Sequence, residues 1–228
     1  MTITIHRDLV QGGDEWLATR CGRLTASEMH LILTPTLKPA QNDKSRAHLY
    51  ELLAQRITSH VEPRFISDDM ARGQADEIEA RALYASHFAR VEEVGFITRE
   101  ITDGITIGYS PDGIVGDDGL IECKSRRQKF QAATILANEV PAEHVLQCQT
   151  GLLVTGRAWL DYVSYCAGMP MAVIRVWPDD VIHAAIVEAA SVFEDAMAER
   201  MAEYRAALAA DGARLIPTER RIETEIFA

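Results

Sequence analysis

Apolar residues along this chain follow a helical spacing in its N-terminal part and change to a β-like spacing near its middle. Before about residue 90 they recur every three or four positions, the period of a helix with one buried face. This spacing predicts a helix over about 45–60, closed by Pro63, and another over about 68–88. Two shorter helices are expected on either side of Gly22, the second beginning at Thr25.

The middle of the chain carries short runs that are rich in β-forming residues. They are V-E-E-V-G-F-I-T-R-E-I, I-T-I-G-Y-S and L-I-E-C-K, separated by Asp103-Gly104 and by residues 116–119. Because such turns favour tight hairpins, we expect an antiparallel meander from Val91 to Lys124. Behind it the pattern predicts, in order, a helix over 126–138, a helix over 141–154, two strands, and a long helix over 179–209.

This order of elements predicts one mixed α/β domain over residues 1–228. We expect a mixed central β-sheet flanked by helices, with an N-terminal helical region and a long C-terminal helix at about 179–210. The chain has 228 residues, of which 47% are hydrophobic, so it is long enough to bury one core with appended helices.

Composition argues against several classes of protein. The net charge of -11 disfavours a general nucleic-acid coat protein, because phosphate binding depends on Lys and Arg, although a local basic groove remains compatible with it. The four cysteines form no C-x-x-C pair, which disfavours a disulfide framework or a zinc site. Since we find neither a signal-peptide pattern nor a membrane-length apolar run, we expect a cytoplasmic protein with no membrane partner.

The stretch from Gly108 to Lys129 holds the clearest candidate chemistry. Asp112 lies in a turn, and the apolar run that follows carries Glu122 and Lys124. If 120–124 is a strand, Glu122 and Lys124 share one face, because successive strand side chains alternate. Two converging carboxylates form a hard-oxygen site suited to Mg²⁺ or Mn²⁺, and an adjacent ammonium can orient a water molecule. This combination indicates a hydrolytic site.

A second candidate site lies near the N-terminus. Arg20 and Arg23 precede a capping-box pattern that runs from Thr25 to Glu28. The two guanidinium groups, the hydroxyls of Thr25 and Ser27 and the free backbone N–H groups of a helix start could bind an anion. The alternative is a capped surface helix with solvated arginines.

Glu77 is a third candidate. It lies in the helix predicted over 68–88, on a face that also carries small and apolar residues, where an acid is unusual. Gly73, one turn earlier, would permit a second backbone or a nucleic-acid strand to approach closely. The alternative is that Glu77 belongs to a solvated acidic run with Asp76 and Glu79.

Together these segments resemble a known family. Pro111-Asp112 followed by Glu122-Cys123-Lys124 has the form PD-(D/E)-x-K, and the elements expected around it are those of a restriction-endonuclease-like core. Between about Gln11 and Tyr165 the chain resembles the phage lambda exonuclease and YqaJ-like viral recombinases of the PD-(D/E)XK nuclease superfamily. Five ordered blocks carry this resemblance: Q-G-G-D-E-W-L-A-T-R-C-G-R-L-T-A-S-E, R-G-Q-A-D-E-I-E-A-R, S-P-D-G-I-V, L-I-E-C-K and H-V-L-Q-C-Q-T-G-L-L-V-T-G-R-A-W-L-D-Y-V-S-Y.

The resemblance assigns roles to individual residues. It implies that Asp112, Glu122 and the backbone carbonyl of Cys123 ligate Mg²⁺, with Mn²⁺ as a substitute, and that Glu77 lies near the metal or a second ion. Lys124 would orient the attacking water, and its pKa can be lowered beside a divalent ion. The remaining implied roles are support of the site by Gln147, with Gln149 as a neighbour, and a cradle for the terminal 5′ phosphate formed by Arg20, Ser27 and Ser110.

Some residues are interpreted as structural. Trp16, Trp159 and Trp177 are expected to pack in the fold, although Trp16 is close in sequence to the candidate phosphate pocket. His144, one helical turn before Gln147, could face the site, but a lone helical histidine is more often a local hydrogen-bonding group than a ligand.

The resemblance also predicts an activity and partners. It implies a 5′-to-3′ exonuclease that degrades one strand of linear double-stranded DNA from its ends and leaves a 3′ overhang for homologous recombination. A ring-shaped homotrimer, a single-strand annealing recombinase as partner, and a bacterial or phage-infected host cell are expected from the same source. Two alternatives remain: an endonuclease on the same core, such as a restriction or junction-cleaving enzyme, and a catalytically silent DNA-end-binding protein.

Overall fold

The computed structural model of the protein describes residues 2–63, 67–102 and 104–220. Within these ranges the strands form two four-stranded mixed sheets. The first contains, in order across the sheet, β1 (Ile3–His6), β3 (Phe96–Thr102), β4 (Ile105–Tyr109) and β2 (Leu24–Thr25). β3 pairs antiparallel with both β1 and β4, whereas β2 pairs parallel with β4.

The second sheet contains β5 (Gly113–Val115), β6 (Gly119–Ser125), β7 (Trp159–Tyr165) and β8 (Ala172–Val176), in that order. β6 pairs parallel with β7, and the other two pairings are antiparallel. The predicted single meander is therefore wrong, because β4 and β5 belong to different sheets. Pro111 lies in the connection between them and has no backbone N–H with which to continue a ladder. The predicted mixed α/β class is confirmed.

Helices cover both sheets and follow the predicted order. Three of them begin at a side-chain cap, with the side chains of Asn42, Ser67 and Asp179 accepting bonds from backbone N–H groups. The helices are α1 (Asp14–Arg20), α2 (Met29–Ile32), α3 (Asp43–Thr58), α4 (Asp68–His87), α5 (Gln128–Ala137), α6 (Ala142–Thr155) and α7 (Asp180–Ala209). In the part of the chain that the structure describes, no helix combines the length and the apolar character needed to cross a membrane.

The predicted capping box from Thr25 to Glu28 does not form. Thr25 instead ends β2, where it pairs with Gly108 of β4. Its hydroxyl donates to Glu28 Oε2 over 2.9 Å, and its side chain caps no backbone N–H. A 3₁₀ turn at Ala26–Glu28 follows, and α2 is only four residues long. The hydroxyl of Thr25 is thus held by a side chain and not by a helix start.

Two hydrophobic clusters meet at β6. The larger cluster fills the space among the two sheets, α3, α6 and α7, and it includes Leu120 of β6 and Tyr162 of β7. The smaller cluster lies between α4 and the second sheet, and it includes Ile121 and Cys123 of β6. Because successive side chains of β6 enter different clusters, this strand is buried on both faces.

Candidate active site

Glu122 and Lys124 lie side by side on β6, as the alternation of strand side chains predicts. The Glu122 side chain is 1% exposed, and Lys124 Nζ donates to Glu122 Oε1 over 2.5 Å. Their neighbours Ile121 and Cys123 point into the smaller cluster on the opposite face. The pair therefore joins a buried carboxylate to a partly exposed ammonium.

Two further side chains fix the carboxylate of Glu122. Gln147 Nε2 on α6 donates to Oε1 over 2.5 Å, so the residue expected to support the site does contact it. The Tyr109 hydroxyl, at the end of β4, donates to Oε2 over 2.7 Å. Burial and the Glu122 carboxylate raise the pKa of Tyr109 well above its ordinary value, so this hydroxyl remains a donor. Sequence reasoning missed Tyr109, because its strand belongs to the other sheet.

Gln149 does not reach this site. Its side chain donates to the backbone carbonyl of Trp177 over 2.9 Å and accepts from the backbone N–H of Asp179 over 3.0 Å. Gln149 thus ties α6 to the chain segment that leads into α7. Side chains two positions apart on a helix point about 200° apart, and Gln147 and Gln149 therefore face different elements.

Asp112 is placed against β6 by the connection between the two sheets. It is 8% exposed, and its Oδ2 accepts the backbone N–H of Cys123 over 2.5 Å. Burial raises the pKa of Asp112 well above its ordinary value, and the negative charges of Glu122 and Glu77 raise it further. The buried carboxylates of Asp112 and Glu122, with the partly exposed Glu77 beside them, offer the oxygen donors that a hard divalent cation takes, and these residue types therefore fit such an ion.

Glu77 reaches the same cluster from α4. Arg81 Nη1 donates to Glu77 Oε1 over 3.2 Å and to the backbone carbonyl of Asp112 over 3.0 Å. Burial raises the pKa of Glu77 although Arg81 lowers it, and Glu122 contributes to the rise. These contacts favour the functional interpretation of Glu77, and Arg81 is a neighbour that sequence reasoning missed.

The acids that flank Glu77 attach α4 to the second sheet. Ser125 donates to Asp76 Oδ2 over 2.5 Å, and the Tyr165 hydroxyl donates to Glu79 Oε2 over 2.5 Å. Glu79 is exposed, whereas Asp76 and Glu77 are partly buried, so a solvated acidic run describes Glu79 but not the other two acids. Asp76 and Glu79 hold the helix on the sheet, and this fixes where Glu77 points.

Lys124 is a charged donor in these surroundings. Burial alone would lower its pKa, but the carboxylates of Glu122 and Asp112 and the hydrogen bond to Glu122 raise it above its ordinary value. This direction applies to the protein groups alone, and the lowered pKa expected beside a divalent ion stays a prediction. A charged ammonium at this place can position a water molecule or a phosphate oxygen.

His144 lies close to this lysine. Burial lowers the pKa of His144 to about 4, and the charges of Lys124 and Arg126 act in the same direction. Arg126 Nη1 lies 2.9 Å from His144 Nε2, which makes this nitrogen the acceptor, and the imidazole ring stacks on Tyr162. His144 is thus a neutral hydrogen-bonding group, as the sequence indicates.

The three residues expected to bind a terminal phosphate lie together. Arg20 Nη1 is 3.4 Å from Ser110 Oγ, and Arg20 Nη2 is 3.4 Å from Thr25 Oγ1. Thr25 Oγ1 is in turn 3.4 Å from Ser27 Oγ. The central carbon of the Arg20 guanidinium lies over the ring of Trp16, 4.3 Å from the ring centroid. We call these five residues, Trp16, Arg20, Thr25, Ser27 and Ser110, the cradle.

One cleft is lined by three residues of the cradle and by two of the carboxylates. Its volume is about 930 Å³, and residues from both groups line it, among them Trp16, Arg20, Thr25, Glu77 and Asp112. A ligand in this cleft can therefore contact a guanidinium and a carboxylate at the same time. Arg81, which bonds to both Glu77 and Asp112, lines the cleft as well.

A second group of residues able to bind a cation lies next to the cradle. Among the described residues, Glu28, His48 and Glu51 each offer a ligand-type atom, and these atoms lie within 4.8 Å of one another. His48 Nδ1 is 3.2 Å from Glu51 Oε2, while Glu28 Oε2 accepts the Thr25 hydroxyl. This trio connects the 3₁₀ turn to α3 and was not expected from the sequence.

The fold and the site define a class of protein. Asp112 precedes a short strand of a mixed sheet, the next strand carries Glu122 and Lys124 on one face, and a helix supplies Glu77. A mixed sheet with this arrangement of acids and lysine is the restriction-endonuclease-like core of the PD-(D/E)XK nucleases.

The chain belongs to the YqaJ-like viral recombinase domain family, whose model matches residues 15–158. An alkaline exonuclease from Laribacter hongkongensis, LHK-Exo, is 32% identical, with a TM-score of 0.75 over 87% of this chain and 100% of that one. A structure of LHK-Exo in complex with dAMP covers 86% of this chain and 98% of its own, with the same identity and TM-score.

A more distant structure shares the fold. The phage related exonuclease from Haemophilus somnus 129PT is 12% identical, with a TM-score of 0.60 over 80% of this chain and 96% of its own. No curated protein sequence is significantly similar to the chain. The family match ends at residue 158, whereas α7 extends to Ala209, and the expectation of one nuclease domain over 1–228 stays a prediction.

Proposed function

We propose that this protein is a Mg²⁺-dependent 5′-to-3′ exonuclease that degrades one strand of linear double-stranded DNA. Family membership and the 32% identity to an alkaline exonuclease support this reaction. The neighbour that binds dAMP suggests a mononucleotide product here too. The remaining 3′ single strand would serve homologous recombination of phage or bacterial DNA, in the cytoplasm of a bacterium or a phage-infected host.

The observation that carries this proposal is the shared cleft. Arg20 and Thr25 of the cradle line the same cleft as Asp112 and Glu77. A terminal 5′ phosphate exists only at a chain end, so a site that binds it beside the reacting centre acts from that end. A phosphate site beside the carboxylates would account for both the requirement for a DNA end and the direction of cutting.

The divalent ion would be held by oxygen ligands. We assign Asp112, Glu122, the backbone carbonyl of Cys123 and Glu77 to this role, with Mg²⁺ as the natural ion and Mn²⁺ as a substitute. Such an ion supplies charge neutralisation on the scissile phosphate and activation of water. Burial is the main cause of the raised pKa values of Asp112 and Glu77, and the charge of Glu122 adds to both. These raised values fit the assignment, because a bound cation would favour the charged form of each carboxylate.

The protein's own residues prepare the reacting centre. The Lys124 ammonium, 2.5 Å from Glu122 Oε1, is placed to orient a water molecule beside the carboxylates. Tyr109 and Gln147 hold both oxygens of Glu122 in one orientation. These supports keep the carboxylate from rotating when the ion or the substrate arrives, and such preorganisation lowers the cost of reaching the transition state.

Two other functions remain open to test. An endonuclease on the same core would not need the cradle, which therefore favours an end-dependent enzyme. A catalytically silent DNA-end-binding protein would not need the Lys124 and Glu122 pair together with Asp112 and Glu77. The contacts among these four residues favour a working centre.

The test compares two forms of the same plasmid in the presence of Mg²⁺. We expect linear duplex with labelled 5′-phosphorylated ends to be degraded and covalently closed circles to survive. Cutting of the closed circles would favour the endonuclease. If the protein binds linear ends but cuts them with neither Mg²⁺ nor Mn²⁺, the result would favour the catalytically silent protein.

The family suggests two kinds of partner. We infer that the protein assembles as a ring-shaped homotrimer around DNA and acts with a single-strand annealing recombinase. Sedimentation equilibrium checks the assembly, and a chain that stays monomeric at micromolar concentrations would contradict it.

Replacing Tyr109 with phenylalanine should lower kcat about tenfold, because Glu122 loses a hydrogen bond to a charged group while the other supports remain. Tyr84→Phe is the matched control, since the Tyr84 hydroxyl donates to the buried Asp161 over 2.6 Å, away from the cleft. Both variants should lose thermal stability, but only Tyr109→Phe should lose kcat. Equal kcat in the two variants would exclude this role of Tyr109.

A further inference from the structure

Trp16 holds the cradle together through its indole N–H. Trp16 Nε1 lies 3.0 Å from Ser110 Oγ and 3.1 Å from the backbone carbonyl of Gly95, and it donates to both acceptors. The face of the same ring packs against the Arg20 guanidinium, which the ring of Phe96 also approaches at 5.6 Å. A residue expected only to pack therefore contacts two of the three groups assigned to the 5′ phosphate.

The number of donors and acceptors around Ser110 Oγ determines whether this hydroxyl donates or accepts. A hydroxyl has one proton to donate and two lone pairs with which to accept. Trp16 Nε1 and Arg20 Nη1 carry protons and no lone pair, so Ser110 Oγ accepts from both of them. Both lone pairs are then occupied, and the proton of Ser110 is left for a ligand. Within the described ranges, Ser110 Oγ has no acceptor of its own.

The other two hydroxyls of the cradle are oriented differently. Thr25 donates its proton to Glu28 Oε2 over 2.9 Å and therefore presents lone pairs to Arg20 Nη2 and to Ser27. Because the Thr25 proton is committed, the 3.4 Å contact between Thr25 and Ser27 must take its proton from Ser27. Ser110 is thus the hydroxyl of the cradle whose proton has no acceptor among the described residues.

We propose that Trp16 is a positioning residue that turns Ser110 into a fixed hydrogen-bond donor and holds Arg20 beside it, so that the cradle selects a phosphate end over a hydroxyl end. This inference rests on the proposed function. A phosphate monoester at neutral pH offers several acceptor oxygens and a negative charge, which match a donor and a guanidinium. A 5′-hydroxyl end is neutral and matches them less well.

The test uses variants that remove the indole N–H but keep a ring. We expect Trp16→Phe to lower the preference for 5′-phosphorylated over 5′-hydroxyl linear duplex about fivefold to tenfold, the size of one hydrogen bond. The loss should appear in KM for phosphorylated ends, with kcat within about twofold, because the reacting carboxylates are untouched. Trp177→Phe, at an exposed tryptophan, is the control and should leave the preference unchanged.

Two further variants separate positioning from packing. In a Ser110→Ala background, Trp16→Phe should have no additional effect on the preference, because the indole N–H then has no hydroxyl to orient. Replacing Trp16 with its benzothienyl analogue, in which sulfur takes the place of the N–H, should reproduce the effect of phenylalanine with an almost unchanged ring shape. If Trp16→Phe fails to fold, the analogue alone tests the role of the indole N–H.

The outcomes distinguish the inference from the proposed function. A wild-type enzyme that degrades both kinds of end equally well would overturn the phosphate cradle and the role of Trp16 together. A wild-type preference that survives intact in Trp16→Phe and in the analogue would overturn the role of Trp16 alone. Equal losses on phosphorylated and hydroxyl ends, or a full additional loss in the Ser110→Ala background, would also overturn it, since packing alone would explain them.

Discussion

Replacing Lys124 with alanine is expected to abolish cleavage while DNA ends still bind. We expect a loss of about a thousandfold in the rate of hydrolysis, the size typical of removing a group that positions or protonates reactants in the transition state. Binding should persist because the cradle is formed by other elements, namely α1, β2 and the β4 to β5 connection. Single-turnover hydrolysis and fluorescence anisotropy with labelled duplex ends measure the two quantities.

The Lys124 prediction has a matched control on the following helix. Lys129 is exposed, and its ammonium lies 4.7 Å from the ring centroid of Phe130, so Lys129→Ala removes an equal charge without touching the carboxylates. This control should cleave DNA within about threefold of the wild-type rate, as surface substitutions usually allow. If Lys124→Ala keeps full activity, lysine has no part in the reaction. If it loses end binding in parallel with cleavage, its role lies in binding and not in hydrolysis.

Changing Arg20 to alanine should affect phosphorylated ends much more than hydroxyl ends. A hydrogen bond from a guanidinium to a phosphate is charge-assisted, so its loss should lower kcat/KM on 5′-phosphorylated duplex by roughly 10-fold to 100-fold. A 5′-hydroxyl end makes no such bond and should lose about threefold or less. Initial rates on the two kinds of end, measured with the same duplex sequence, give the comparison.

Arg23 provides the control for Arg20. It lines the same cleft, but its Nε donates to the backbone carbonyl of Thr19 over 2.9 Å and its side chain is exposed. Arg23→Ala should therefore lower rates on both kinds of end by a similar, small factor. Equal losses from Arg20→Ala on phosphorylated and hydroxyl ends would remove this arginine from the cradle.

Local patterns predicted the side-chain arrangement of β6 well. The alternation from Leu120 to Lys124 placed Glu122 and Lys124 on one face, because period 2 is a property of any strand. The long helices were located to within a few residues, since caps such as Asn42, Ser67 and Asp179 mark their starts.

What the sequence could not predict depends on contacts between distant elements. Tyr109 and Glu122 are 13 residues apart and lie in different sheets, and no local pattern relates a strand of one sheet to a strand of the other. Trp16 and Ser110 are 94 residues apart. The antiparallel meander was wrong for the same reason: hairpin turns were recognised, but the change of sheet at Pro111 depends on how the two sheets pack.

The position of β6 has a consequence during synthesis of the protein. The strand is complete at Ser125, yet its parallel partner β7, ending at Tyr165, and the α6 residue that holds Glu122 both come later in the chain. A ribosome that has made the first 125 residues has therefore made the acids and the lysine but not the surroundings that fix them. We expect unfinished chains to be harmless to the DNA of the cell that makes them, since the proposed nuclease centre depends on Gln147 and on β7 to hold Glu122 and Lys124 in place.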